Sequence, residues 1–302
     1  FLTHINRPSS AASVMRYSFR RVIDSTLFAP GTLRLANSRS NNDQSRHLVG
    51  LIPAAGIGSR LGLPFSKELV PVSGPSELKR APERGVMTAI EQAIEVMADA
   101  GIGDARIVIA SGKQDIPDRL GFGERSRVRL TYTVVQHSSS VPESLSRGLH
   151  DLAYADCALL FPDIVFRPRR ALGDIIDRHR SSDSDVVIAL VPAESGEKVD
   201  IVSVSDDGLV EGVVAKPGPK VRGLTWIAAV WGPRFSNFLH EKLSQSSPTL
   251  GKAVQREIYV GDVLNAGISE GLTVNSIAYP SGDAYDLGTR DELEKFWRES
   301  RS

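Results

Sequence analysis

Leu51-Ile-Pro-Ala54-Ala55-Gly56-Ile-Gly58-Ser59-Arg60-Leu-Gly62, with Pro64-Phe-Ser-Lys67-Glu-Leu-Val-Pro-Val72 close behind, is the stretch whose reading decides the fold. Apolar residues of strand type run into a loop that contains glycines. Gly56 and Gly58 have no Cβ, so backbone N–H groups there can come close to an anion. Arg60 and Lys67 follow within a few residues and add two positive charges on long side chains. A strand, a glycine loop and two cations in that order suit a polyanion such as a triphosphate.

Three other readings of this loop are open on the residues alone. A dinucleotide fingerprint needs G-x-G-x-x-G with an acidic residue about 20 positions on. Here Leu61 fills the third glycine position, Gly62 comes one late, and Glu77 lies in a Gly/Pro/Ser-rich loop rather than at the end of a second strand. A Walker loop needs G-K-[ST] directly after the glycines, and that is absent. The third reading is a glycine turn with no ligand, a common use of glycine.

Outward from the loop, apolar strands and amphipathic helices alternate. Residues 48–53, 106–110, 130–135, 157–161 and 185–191 read as strands. Residues 86–100 repeat apolar groups at Val86, Ile90, Ala93, Ile94 and Met97, the spacing of one helix face. Gly101 then stops that helix. Residues 144–153 and 171–180 read as further helices. The later part changes character. Residues 201–205 and 209–214, joined by Asp206-Asp207-Gly208, read as a β-hairpin. Residues 225–231 and 273–279 read as strands, and 233–243 and 262–270 as helices. Thr289-Arg-Asp-Glu292 reads as a capping box that opens a last helix. The pattern predicts an α/β fold: a mostly parallel central sheet with helices on both faces, plus a small antiparallel annex.

Composition narrows the function classes. Lys+Arg and Asp+Glu both number 36, so no global basic field points to nucleic acid. Cys157 is the only cysteine, which rules out a disulfide or a multi-cysteine zinc site within the chain. The six histidines are scattered without zinc spacing. No apolar run is long enough for a membrane span. Residues 1–47 are rich in arginine and serine and carry only Asp24 and Asp43 as acids. They read as a disordered basic extension or leader, with organelle targeting as the alternative reading and Met15 as a candidate initiator. Residues 48–302 are expected to form a single domain, in a protein expected in the cytoplasm.

Two further positions sit where strands end, which is where open α/β sheets bind ligands. One is Asp163, in Phe161-Pro-Asp163-Ile-Val-Phe166. The other is Asp286, in Tyr285-Asp286-Leu-Gly-Thr289. Two aspartates that both reach a triphosphate could share a Mg²⁺, which takes one or two carboxylates with phosphate oxygens and water. Each alone is equally a turn or capping aspartate.

In order and type these motifs resemble the sugar-1-phosphate nucleotidyltransferases. That family carries A/G-G-x-G-[ST]-R-L after a strand, then a lysine near P-V. It has a metal aspartate in L-x-D-x-[IV]-F and a second in a near-terminal D-x-G-T. The resemblance spans residues 48–298. It implies transfer of a nucleotidyl group from a triphosphate, with dTTP or UTP favoured, to a sugar-1-phosphate with release of pyrophosphate. It implies Arg60 and Lys67 as catalytic groups. It places the nucleotide on Ala54, Ala55, Gly56, Gly58, Ser59 and Gln136, the last as a base-reading amide. It implies Lys216, in Val213-Val-Ala-Lys216-Pro217, as the sugar-phosphate contact, and Mg²⁺ on Asp163 and Asp286. Homo-oligomers are common among such proteins, and no nucleic-acid or membrane partner is implied.

The departures fall on the acceptor side. Ala215 stands where the family has a sugar-binding glutamate, and Asp200 where it often has glycine. The glycine that usually follows the base-reading glutamine is missing, and the 73–84 loop is unlike the usual K-P-M-I run. These changes keep open a cytidylyltransferase acting on a non-sugar phosphate. A sensor that binds a sugar nucleotide without turnover is a further alternative.

Overall fold

The computed structural model describes residues 46–56, 58, 61–72, 86–136, 138–245 and 257–299. Strand β1 (Leu48–Ala54) lies inside the sheet, between β2 (Asp104–Ala110) and β4 (Asp156–Leu160), and is parallel to both. Burial on both faces explains its near-continuous apolar run. β3 (Arg129–Val135) pairs parallel to β2 and forms one edge. On the other side of β4 lies β9 (Gly223–Trp231), then β6 (Val186–Ala193), then β10 (Val274–Ala278). β9 runs antiparallel to both of its neighbours, while β10 and β6 are parallel to each other. The expected mostly parallel sheet is therefore present, with β9 as its antiparallel member.

The expected annex also forms. β7 (Ile201–Val204) and β8 (Val210–Val214) make an antiparallel hairpin, attached to the sheet where Val202 pairs with Leu224 of β9. A second antiparallel pair, β5 (Ile164–Arg167) with β11 (Asp283–Asp286), was not read from the sequence. Both strands are four residues long, too short for an alternating pattern to register.

Seven α-helices are described: α1 (Ala89–Asp99), α2 (Asp115–Leu120), α3 (Val141–Gly148), α4 (Ala171–Ser181), α5 (Pro233–Gln245), α6 (Val260–Ser269) and α7 (Arg290–Glu299). They cover both faces. Ile52 and Ile107 point into a core with Ile90 and Met97 of α1 and Ile175 of α4. Leu51 and Val108 point the other way, into a core with Leu145 of α3, Phe235 of α5 and Leu264 of α6. Packing is tight on both sides. A Cβ at Gly50 would lie 2.5 Å from Met97 Sδ, and one at Gly148 would lie 2.7 Å from Val108 Cγ2.

Several boundaries differ from the sequence reading. The helix expected from residue 144 begins at Val141, because the Ser140 hydroxyl accepts from the Glu143 N–H at 3.4 Å and Pro142 suits the first turn. α6 starts at Val260 rather than 262, since Asp262 reaches back to accept from the Tyr259 N–H at 2.9 Å. The Thr289 side chain does not cap the last helix: its hydroxyl oxygen is buried without a hydrogen-bond partner. No described helix is long and apolar enough to cross a membrane.

Candidate active site

β1, β2, β3 and β4 are mutually parallel, so their carboxyl ends open on one edge of the sheet. Loop residues after β1 are flanked by the segment after β2 on one side and the segment after β4 on the other. This juxtaposition brings together residues that are far apart in sequence.

Ala54 and Ala55 are buried, so only their backbone can meet a ligand, and Gly56 beyond them is exposed. Gly58 has φ +67°, a left-handed conformation that favours glycine. A Cβ on it would come 3.3 Å from Cγ of Lys67. The Lys67 stem thus lies against the loop backbone. Ser59 and Arg60 are outside the described residues.

Lys67 belongs to a short 3₁₀ turn, Lys67–Leu69, with firm anchors on both sides. Ser66 donates to Asp115 through its N–H at 2.6 Å and its hydroxyl at 2.7 Å. Glu68 is buried and accepts two hydrogen bonds from Lys113, at 2.9 and 2.8 Å. Lys113 donates a third, at 2.9 Å, to the carbonyl of Ala54 at the end of β1. Burial pushes the Glu68 carboxyl above its ordinary range, against the pull of Lys113 and Lys67. Lys113 was missed in the sequence. It follows a strand end, in Ser111-Gly112-Lys113, the same signal that singled out Asp163.

Asp163 follows β4 and Asp286 ends β11. The β5–β11 ladder sets Asp286 opposite Ile164, and the Leu287 N–H donates to the Asp163 carbonyl at 2.8 Å. The two carboxylates converge on Gly288. A Cβ there would lie 2.8 Å from Asp286 Oδ1 and 3.6 Å from Asp163 Oδ2. The Lys67 ammonium is ion-paired with Asp163. Burial alone would lower the Lys67 pKa, but Asp163, with help from Glu68 and Asp286, outweighs it and leaves the lysine raised. Lys67 is therefore charged at neutral pH and is no general base. Sequence reasoning put Asp163, Asp286 and Lys67 in one site, and the structure brings these three together.

The described residues hold no group of three or more His, Cys, Asp and Glu side chains placed for a metal. A pair of carboxylates facing a space that a Cβ would fill is nonetheless the donor set that suits Mg²⁺ alongside a phosphate. Soft metals are disfavoured, since Cys157 is buried and burial pushes its thiol up to about 12.

Lys216 sits apart from that trio. It follows β8, takes φ +46°, and places its ammonium 3.7 Å from the centre of the Tyr259 ring. Trp226 links the two regions. Its ring packs at a tilt, 5.3 Å between centroids, against Phe161, two residues before Asp163, and its indole N–H donates to Asp200 Oδ2 at 3.0 Å. A register shift in the β6–β9 ladder falls beside Trp226. Leu190 pairs with Trp226 and Ala189 with Ala228, so Ile227 is the extra residue of a bulge. Gln136 is exposed just past β3, in a groove it lines with Arg106, Tyr132, Arg147 and Asp151.

With this geometry in place, solved structures supply a match for the fold. A Bacillus anthracis protein assigned as a glucose-1-phosphate thymidylyltransferase, solved with sucrose, is 18% identical, with 84% of this chain and 96% of that one covered and a TM-score of 0.67. The UTP-bound UGPase from Acinetobacter baumannii is 18% identical over 83% of this chain and 92% of that one, with a TM-score of 0.64. A UDP-glucose pyrophosphorylase complexed with UDP-glucose is 17% identical over 83% and 96%, with a TM-score of 0.64. The chain has a sugar-1-phosphate nucleotidyltransferase fold. No protein-family model and no curated protein matches it. In these terms Asp163, Asp286 and Lys67 stand at the strand ends of a nucleotidyltransferase-type sheet, and Lys216 stands on its annex.

Proposed function

We propose that this chain transfers a nucleotidyl group from a nucleoside triphosphate, dTTP or UTP in preference, to a sugar-1-phosphate. The products are pyrophosphate and a nucleoside-diphosphate sugar. The observation that carries this reading is the convergence of Asp163 and Asp286 on Gly288 with Lys67 paired to Asp163. The ligands bound by similar folds, UTP and UDP-glucose, accord with it.

The acceptor phosphate is already anionic, so no protein nucleophile and no general base are required. Its oxygen attacks the α-phosphorus, the bond from that phosphorus to the bridging oxygen breaks, and pyrophosphate carries away the electron pair. The chain's contribution is placement and charge. Backbone N–H groups of the 56–58 loop would approach the phosphates, and Arg60 would neutralise the departing pyrophosphate. Lys67 would stand between the α-phosphate and the incoming phosphate, where its raised pKa keeps it charged. Lys216 would move from the Tyr259 face to hold the acceptor phosphate, and Gln136 would meet the base. Asp163 and Asp286 would hold Mg²⁺, which when bound supplies charge neutralisation at the α-phosphate.

The test is pyrophosphate release with Mg²⁺, crossing dTTP, UTP, CTP, GTP and ATP with a panel of sugar-1-phosphates. Release that needs one triphosphate and one sugar phosphate together is expected. Silence across the panel from folded protein that binds triphosphate would overturn it in favour of a non-sugar acceptor or a sensor.

A further inference from the structure

The geometry points to Asp200 as the residue that reads the hydroxyl groups of the acceptor, and thereby to a polyhydroxylated acceptor. This inference rests on the nucleotidyl-transfer reading above and goes beyond it by assigning acceptor recognition to one carboxylate.

Asp200 immediately precedes β7. The hairpin ladder ends with Ile201 paired to Val214, so Asp200 precedes it on one strand and Ala215 follows it on the other, one residue before Lys216. Ala215 offers no polar group at this end of the hairpin, and Asp200 provides a carboxylate there. Its neighbours come from separate parts of the fold. Trp226 of β9 donates to its Oδ2. Lys216 of the hairpin is close enough to favour its charged form, and Asp262 of α6 opposes it. Gly261 leaves the space it fills: a Cβ there would lie 2.4 Å from Asp200 Oδ2.

That setting is not the one a solvated surface aspartate has. A charged side chain is brought out of water, anchored by an indole and given room by a glycine, at a cost in solvation. Burial pushes its carboxyl above the ordinary 3.8 despite the indole, Lys216 and the Gly261 backbone. The indole contact falls on Oδ2, and Oδ1 is the oxygen this assignment gives to a ligand. A carboxylate is acceptor-only, and the ligand group that matches it beside a phosphate-holding lysine is a hydroxyl. The tilted Phe161–Trp226 ring contact ties its position to the segment that carries Asp163.

The test compares binding of UDP with UDP-glucose, and of dTDP with dTDP-glucose and a panel of other dTDP- and UDP-hexoses, by calorimetry on the full chain. The ratio of the two affinities reports the sugar alone. Wild-type protein is expected to bind at least one sugar nucleotide more tightly than its bare diphosphate. Asp200→Asn keeps the shape and an acceptor for the indole. It is expected to cut that gain about tenfold or more, the scale of a hydrogen bond to a charged group, and to leave the bare diphosphate within about twofold. Should Asp200→Asn fail to fold, Asp200→Glu decides, since it keeps the charge and displaces it by one methylene; a gain equal to wild type would overturn the inference. Nucleotide binding with an unchanged gain in Asp200→Asn sinks this inference alone, as does a wild type that gains nothing from any hexose. Failure of every diphosphate to bind sinks the nucleotidyl-transfer reading, and this inference with it.

Discussion

Lys67 and Asp163 stand 96 positions apart in the chain and meet as an ion pair in the candidate active site. The pairing connects the loop after β1 with the segment after β4, and through Gly288 it includes Asp286. A lysine so close to a carboxylate pair prevents the repulsion that two unpaired anions would suffer when a third anion enters.

Replacing either carboxylate should therefore affect chemistry more than folding. Asp163→Asn and Asp286→Asn are each expected to lower pyrophosphate release by about 100-fold or more, the scale of losing a preorganised electrostatic partner. Chelation with EDTA should stop release, and added Mg²⁺ should restore it. Melting curves that overlay wild type, with turnover lost, support the assignment. Normal turnover in Asp163→Asn would remove that residue from the site.

Lys113 and Glu68 give a different prediction, because they hold the loop rather than touch substrate. Losing one partner of a buried pair strands the other charge, at a cost of about 3–5 kcal/mol. Lys113→Met should show that loss in urea unfolding at constant slope. The double variant Lys113→Met/Glu68→Leu should recover most of it, since replacing a whole buried pair with apolar groups is often neutral. Equal destabilisation in single and double variants would mean that the bond from Lys113 to the Ala54 carbonyl matters more than the pair.

Asp200 makes stability depend on pH in a stated direction. Its folded carboxyl titrates above the ordinary 3.8, chiefly through burial, so the folded state holds the proton more firmly than the unfolded chain. Its favourable contribution is complete below 3.8 and is lost as pH rises through the raised value. Asp200→Asn escapes that loss. Its melting temperature should exceed wild type at pH 7, and the difference should shrink on acidification toward pH 4. A variant less stable at pH 7 than wild type would show that the charge itself holds the annex.

Gly148 tests the packing beneath the site. An alanine there would press 2.7 Å from Val108 Cγ2 and 2.9 Å from Leu51 Cδ1, both in the sheet core. Overpacking of this kind costs about 1–3 kcal/mol, so the denaturation midpoint of Gly148→Ala should fall. An unchanged midpoint would mean that α3 can shift outward freely.

Much of this arrangement was legible in the sequence because it is local. Strands such as β1 and β6 announce themselves as apolar runs, and α1 by its period. Asp163 and Asp286 stand out through the motifs around them, and their pairing rests on the family resemblance those motifs carry. What was not legible is carried by long-range register. Nothing in Tyr285-Asp286 foretells that it pairs with β5, and that pairing brings Asp163 to the Gly288 that Asp286 meets locally by accepting its N–H. Lys113 follows a strand end, but only its distance from Glu68 and from the end of β1 reveals its buried pairing. Asp200 stands out as a departure from a pattern, but its indole partner lies beside a bulge at Ile227 that no composition signals.

β9 works as a seam. On one side of it, β1 to β4 run parallel and end at the candidate site; on the other side lie β6 and β10, and the β7–β8 hairpin hangs from β9 itself. The hairpin and the sheet half that ends at the candidate site meet only across this one strand among the named ladders. Under the proposed function, acceptor choice would be free to drift, or be transplanted as a cassette, without disturbing the half assigned to the triphosphate. The modularity has a limit written at Trp226, the stitch that both halves share.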